Sequence, residues 1–333
     1  MLNDRKIMRI GFLIFPGFPM ACLTSVIEPL RAANEIGGRD VFEWSLVSET
    51  GGRTTSSAGV AFDPDLALAD LDTIDLLFVL AAPISQFADA RAGNGALRRL
   101  DRHGAILGAV SGGVFPLVRS GVMAGHRCSV HWCYEAAFRS EFPTIGMTDD
   151  VITMDRRRYT VSGAASAFDL ALCLIRARLD GDIAHEVACW FQHATAPGER
   201  VQQRVPMQPE ASPEVPSLVA RATAMFADRI EDPISVAEVA STLGVTPRQV
   251  ERAFKKATGQ SPTHYYREMR MKAARQLVLY SNDPVLKIAQ AVGYTSSTPL
   301  MSHYREAFGV TPQVDRQRIN ASRLRGNVPL PSA

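Results

Sequence analysis

The chain has 333 residues, 46% hydrophobic and 21% charged, a size and composition that imply two ordinary globular domains with separate cores. Its net charge of +2 conceals an asymmetry. From Leu218 to Ala333, 16 Lys+Arg stand against 9 Asp+Glu, a net of +7, leaving −5 for the remainder, as expected of a nucleic-acid module joined to a body with another task. Five cysteines without CxxC or Cys/His spacing argue against a zinc site or a disulfide framework. The N-terminus lacks a signal-peptide run, and the longest apolar stretch, Leu76 to Ile84, is too short to cross a bilayer. The expectation is a cytoplasmic protein with no metal, no cofactor and no membrane partner.

In chain order, Ile10 to Phe15, Phe42 to Val47, Ile74 to Leu80 and Ala105 to Val110 read as short buried strands. Cys22 to Asn34 and Asn94 to His103 lie between them with helical spacing, so a parallel sheet covered on both faces is predicted. Tyr159 to Val161 and the helical run Ala167 to Arg178 close this domain. Within it, Ser111 precedes Gly112-Gly113 between a predicted strand and a predicted helix, the arrangement of a nucleophile elbow. A serine there needs a positioned base, and His131 with Asp169 is the available pairing. The milder alternative is that Ser111 and its neighbouring amides hydrogen-bond a small effector. Prolines 197, 206, 209, 213 and 216 mark a semi-extended linker over 196–217. The domains are accordingly expected at 8–195 and 218–320, with a disordered tail over 321–333.

The last third repeats itself. Ala240, Leu243 and Gly244 recur as Ala289, Val292 and Gly293; Phe254, Gly259 and Pro262 recur as Tyr304, Gly309 and Pro312. A small residue, a glycine at the turn and apolar residues resuming at helical spacing make each copy a helix-turn-helix. Two in tandem suit successive stretches of DNA major groove. Ser235 with Glu238, and Thr246 with Gln249, fit capping boxes, while Pro247 and Pro284 suit first helical positions. With Val250, Ala253 and Phe254 turned inward, Arg248, Gln249, Arg252, Lys255 and Lys256 face outward: Arg and Gln as base readers, Lys for phosphate. The second copy buries Leu300, Tyr304 and Phe308 and presents Ser297, Thr298, Ser302, His303 and Arg305, a weaker reading set.

The residues from Val219 through Arg316, including Met269 to Leu277 and Phe308-Gly309-Val310-Thr311-Pro312, resemble the DNA-binding domain of AraC/XylS-type transcriptional regulators. Asp315 departs from that pattern, standing where an aromatic usually precedes Arg316, and Pro299 occupies an exposed recognition-helix position. The first domain resembles the class I glutamine amidotransferase-like superfamily, in the PfpI-type branch fused to AraC-type domains. That likeness rests on the Ser111 run, Ser129-Val130-His131-Trp132, Gly17-Phe18, Glu28-Pro29, Phe142-Pro143, Ser162-Gly163-Ala164 and Gln203-Arg204-Val205-Pro206. Catalytic members carry cysteine where this chain has Ser111, and Phe18-Pro19-Met20 lacks their acidic residue, so the resemblance implies a sensor without enzymatic activity. A DNA-tethered amidase or peptidase using Ser111 is the alternative.

The resemblance further implies a flavodoxin-like α/β sandwich and an all-α domain. It implies an effector site around Ser111, Gly112, His131, Trp132, Phe18 and Met20, taking an amino-acid or quaternary-ammonium compound. Trp44, Trp132 and Trp190 are possible cation–π faces. The implied partners are promoter DNA, the effector, RNA polymerase, and a second copy of the chain held through the first domain. An activator of transcription is expected.

Overall fold

The structure, a computed structural model, describes residues 7–193 and 217–324 as two compact units. The expected linker lies outside the described residues except for Ser217, as does the expected tail beyond Leu324. The first unit runs β1 (Met8–Ile14), α1 (Met20–Ile36), β2 (Phe42–Ser48), β3 (Thr54–Thr55), β4 (Ala61–Phe62), β5 (Leu66–Ala67), β6 (Leu76–Ala81), α2 (Ala90–Arg102), β7 (Ile106–Ser111) and α3 (Val114–Arg119). It continues through β8 (Arg127–Ser129), α4 (Glu135–Glu141), β9 (Gly146–Thr148), β10 (Ile152–Asp155), β11 (Arg158–Val161), α5 (Ala164–Arg178) and α6 (Gly181–Trp190).

Seven strands form one sheet in the order β10-β11-β7-β6-β1-β2-β5, parallel except for β10, which pairs antiparallel with β11. β6 is buried along its whole length, which explains why it reads as a continuous apolar run rather than an alternation. Helices α1, α5 and α6 pack together, while α3 packs on β6 and β7. The core beneath α1 and α5 gathers Ile10, Phe12, Phe78, Val26, Leu30 and Leu170, all essentially without solvent contact. Observed strand ends differ from the sequence reading by one or two residues. Helix α6 is an addition to the expected elements; its short amphipathic run follows α5 after a two-residue break.

The chain order reverses between β1 and β6: the connection after β1 moves to β2 on one side, and the chain then returns to β6 on the other. In open α/β sheets this switch point opens a crevice outside the carboxyl ends of the strands. The loops 15–19, 82–89 and 112–113, together with Ser162-Gly163, all leave from that edge.

The second unit is helical: α7 (Ser217–Ala227), α8 (Val236–Leu243), α9 (Pro247–Thr258), α10 (Pro262–Tyr280), α11 (Val285–Ala291), α12 (Ser297–Phe308) and α13 (Pro312–Leu324). Phe226, Val239, Val250, Phe254 and Tyr266 form one core, with the Phe226 and Tyr266 rings stacked at 4.2 Å between centroids. Burying a side chain such as Phe254 contributes about 2–3 kcal/mol. Both expected capping boxes are formed, and Pro247 opens α9. Pro284 caps α11 from one position before its first residue, with an extended ψ of 149°, rather than occupying the first turn.

Candidate functional site

The elbow at the end of β7 is strained. Ser111 has φ of +55°, a left-handed conformation that a residue with a Cβ adopts only when its surroundings impose it. The imposition comes from Gly113, where an added Cβ would sit 1.9 Å from the Val79 carbonyl oxygen. The chain must therefore turn hard against β6 before α3 begins. Arg119, at the end of α3, donates to the Pro83 and Ser85 carbonyls and holds Glu141 through two bonds of 2.6 and 2.8 Å. It thereby fixes the loop after β6 beside the elbow. The Ser111 hydroxyl has no hydrogen-bond partner among the described residues.

His131 reaches the same edge from another element: a Cβ on Gly163, just past β11, would lie 3.6 Å from its ring. β11 neighbours β7 with Val161 opposite Val110, so Ser111 and His131 share one end of the sheet. The Nδ1 of His131 receives the Cys133 amide at 3.3 Å and lies 2.9 Å from the Cys133 sulfur. Burial pushes the Cys133 thiol well above its ordinary range, so it stays protonated and donates. Burial also pulls the His131 imidazole down to about 4, leaving it neutral with Nε2 carrying the proton.

The triad considered from sequence is not assembled. Asp169 pairs instead with His193, Nε2 to Oδ1 at 2.7 Å, and the His193 ring lies against Phe168. Sequence spacing could not reveal this, because His193 comes 24 residues later, beyond α6. Phe18 stands at the carboxyl edge, but its ring is fully buried against Phe62, so it is a post for the loop rather than a contact surface. Met20 opens α1 and is partly exposed; Trp132 is tilted over His131 at 5.5 Å. The other two tryptophans are elsewhere: Trp44 packs within β2, and Trp190, 60% exposed, ends α6.

In the second unit the outward face of α9 borders a concave groove lined in part by Arg248, Glu251, Arg252, Lys256 and Ser261. Two of the expected DNA-facing side chains have local duties. Gln249 turns its Oε1 back onto the Thr246 amide and hydroxyl at 2.8 and 3.0 Å, closing the capping box. An adenine contact needs that oxygen together with the amide nitrogen, so the capped Gln249 is a donor only. Lys255 donates to the Gly259 carbonyl at the end of its own helix. Arg248, Arg252 and Lys256 are exposed and point away from the core. On α12, Thr298, Ser302 and Arg305 border a second concavity. Ser297 opens that helix, and His303 is half-buried with its Nδ1 2.9 Å from the Tyr294 hydroxyl. Phe308, expected inside, is only partly covered; the Arg275 guanidinium lies 4.6 Å above its ring.

The two helix-turn-helices are fastened together by contacts that no repeat pattern announces. Arg270, on α10, donates to the Val292 and Gly293 carbonyls and lies over the Tyr294 ring at 4.2 Å, capping α11. Gly293 has φ of +76°, and a Cβ there would meet Pro233, at the entrance to α8, at 2.3 Å. The second turn thus nests against the first motif.

Comparison with known proteins agrees with this architecture. The family model described as "Helix-turn-helix domain" matches residues 239–318. The chain is 32% identical to the HTH-type transcriptional regulator GbdR of Pseudomonas aeruginosa over 95% of this chain and 86% of that protein. It is 30% identical to the HTH-type transcriptional regulator GlxA of Rhizobium meliloti over 95% and 98% of the two chains. A crystal structure of an AraC family transcriptional regulator from Pseudomonas putida aligns with a TM-score of 0.50 and 27% identity, covering 55% of this chain and 99% of that one. With about 30% identity to such regulators over nearly the whole chain and two helix-turn-helices on one helical unit, the chain belongs to the AraC family of HTH-type transcriptional regulators.

Proposed function

We propose that the sandwich unit binds a small metabolite at the carboxyl edge of its sheet and that this binding governs how the helical unit engages a promoter, so that the chain activates transcription. The observation carrying the effector reading is the elbow. Ser111 is held in a strained conformation with an unengaged hydroxyl, on the same carboxyl edge of the sheet as a neutral His131 and one strand from the switch point. An amino-acid or quaternary-ammonium compound suits a site offering Ser111, the Gly112 amide, His131 Nε2–H and the Trp132 face, with Met20 at its border. Promoter contacts fall to Arg248, Arg252, Lys255 and Lys256 of α9 and to Ser297, Thr298, Ser302, His303 and Arg305 of α12. Activation implies RNA polymerase as a further partner, and a homodimer would let the chain engage repeated half-sites, as many regulators do.

The hydrolase alternative is disfavoured by two contacts: Asp169 is committed to His193, and the nitrogen that would orient His131 as a base is taken by Cys133. Gel retardation with the upstream regions of its own and neighbouring genes tests the DNA reading. Thermal-shift screening of the full chain with amino acids and betaines tests the effector. A saturating ligand raises the melting temperature of the wild type but not of Ser111→Trp, which fills the site. No retarded band at low salt, with or without these metabolites, refutes the regulator reading.

A further inference from the structure

The outward face of α9 carries more chemistry than its arginines. Arg248, Glu251 and Arg252 stand at i, i+3 and i+4, one patch of the helix surface, and all three are exposed. Glu251 is the one acidic side chain in α9 and borders the groove that Arg248, Arg252 and Lys256 also line. Its carboxylate has no ion pair and no hydrogen bond among the described residues, although two guanidinium groups are its helical neighbours. The side chain expected to supply hydrogen-bond acceptance on this face, Gln249, has its oxygen closed into the capping box. Glu251 is therefore the acceptor that the α9 face has left to offer.

A carboxylate among Arg and Lys works against attachment to phosphates, because it returns one negative charge to a surface that binds by neutralising them. The charge is useful only opposite base edges. In the major groove an acceptor-only group bonds the N4 amino group of cytosine and is repelled by the O6 and N7 of guanine and by the O4 of thymine. Adenine also offers an amino group, but its N7 acceptor lies alongside and faces the second carboxylate oxygen, whereas cytosine presents a C5–H there. A guanidinium beside the carboxylate completes the match, since the guanine paired to that cytosine presents O6 and N7.

Building on the DNA-reading role of α9, we infer that Glu251 is a specificity-determining residue that selects a cytosine in the site bound by the first helix-turn-helix, with a flanking arginine reading guanine. Gln249, in contrast, holds the helix start and sets no base preference.

The test is selection of bound duplexes from a randomised DNA library by the full-length chain, comparing wild type, Glu251→Gln and Glu251→Ala. The wild type enriches cytosine at one position by about tenfold, the discrimination expected of one good base contact. Glu251→Ala loses that preference and leaves the other positions unchanged. Glu251→Gln, which has both donor and acceptor, moves the preference at that same position from cytosine to adenine. Melting temperatures of the three proteins coincide, because the side chain is exposed and unpartnered. Identical base profiles for wild type and Glu251→Ala overturn the inference, as does a uniform gain in affinity for all sequences, which marks simple phosphate repulsion. If the wild type itself enriches no sequence, the promoter-reading role falls first and this inference with it.

Discussion

The departure at Asp315 gives the sharpest stability test. Asp315 is 6% exposed, and a single oxygen, Oδ2, accepts from the Tyr304 hydroxyl at 2.8 Å and from Arg275 Nε at 2.9 Å. This joins α10, α12 and α13 behind the second recognition helix. Burial, and then the adjacent carboxylate, push the Tyr304 phenol above its ordinary range, so the hydroxyl remains a donor. Replacing Asp315 by Phe, the aromatic expected from the family pattern, removes the acceptor from a fully buried hydroxyl and the carboxylate from a guanidinium that is 27% exposed. A broken buried pair costs about 3–5 kcal/mol, and partial exposure of Arg275 places this case near about 3 kcal/mol. Tyr304→Phe alone costs about 1 kcal/mol, one hydrogen bond. In the double variant no hydroxyl is orphaned and two rings pack together, so about 1–2 kcal/mol is recovered relative to Asp315→Phe. Amide hydrogen exchange in α12 of the full chain reads this locally: protection falls about a hundredfold in Asp315→Phe and partly returns in the double variant. If the double variant is no better protected than Asp315→Phe, the Tyr304–Asp315 coupling is not what holds α12.

Three further outcomes follow from the same structure. Arg252→Ala is expected to relax preference at one base step by about 1–3 kcal/mol, while Lys256→Ala weakens all sequences alike and lowers the salt slope by about one unit; binding isotherms across salt on matched and scrambled duplexes separate the two. Gly113→Ala drives a methyl group into the Val79 carbonyl, so the sandwich unit should lose about 3 kcal/mol and its melting temperature drop by roughly 6–12 °C; an unchanged melt would mean the elbow is free to relax. For His131, burial lowers the folded-state pKa from 6.5 to about 4, so the unfolded chain takes up the proton first as pH falls. That contribution is intact above about pH 6.5 and is lost progressively down to about pH 4, at most about 3 kcal/mol. Denaturant titrations at several pH values should give a shallower acid loss for His131→Gln, and an equal loss in both proteins would disprove the assignment.

The repeat, the capping boxes and the strand–helix alternation were legible because each is written in residues close together in the chain. Thr246 finds Gln249 three residues away, and Gly244 ends α8 with a φ of +68° that its own neighbourhood requires. The elbow was legible for the same reason: Ser111, Gly112 and Gly113 are consecutive, although the carbonyl that forces the turn belongs to β6.

What the tertiary structure alone decided is which long-range partner each polar group took. The chain has seven histidines, and only the packing of α6 on α5 delivers His193 rather than His131 to the Asp169 carboxylate. Gln249 had the right chemistry for adenine, yet its oxygen completes a cap; Glu251, passed over in the outward stripe, was left open to the groove. Asp315 looked like a substitution against pattern until Tyr304 and Arg275 met it in the core. Local sequence determines elements and their ends through propensity and capping. Partner choice among buried polar groups depends on side chains tens of residues apart, which only the packed chain brings within hydrogen-bonding distance.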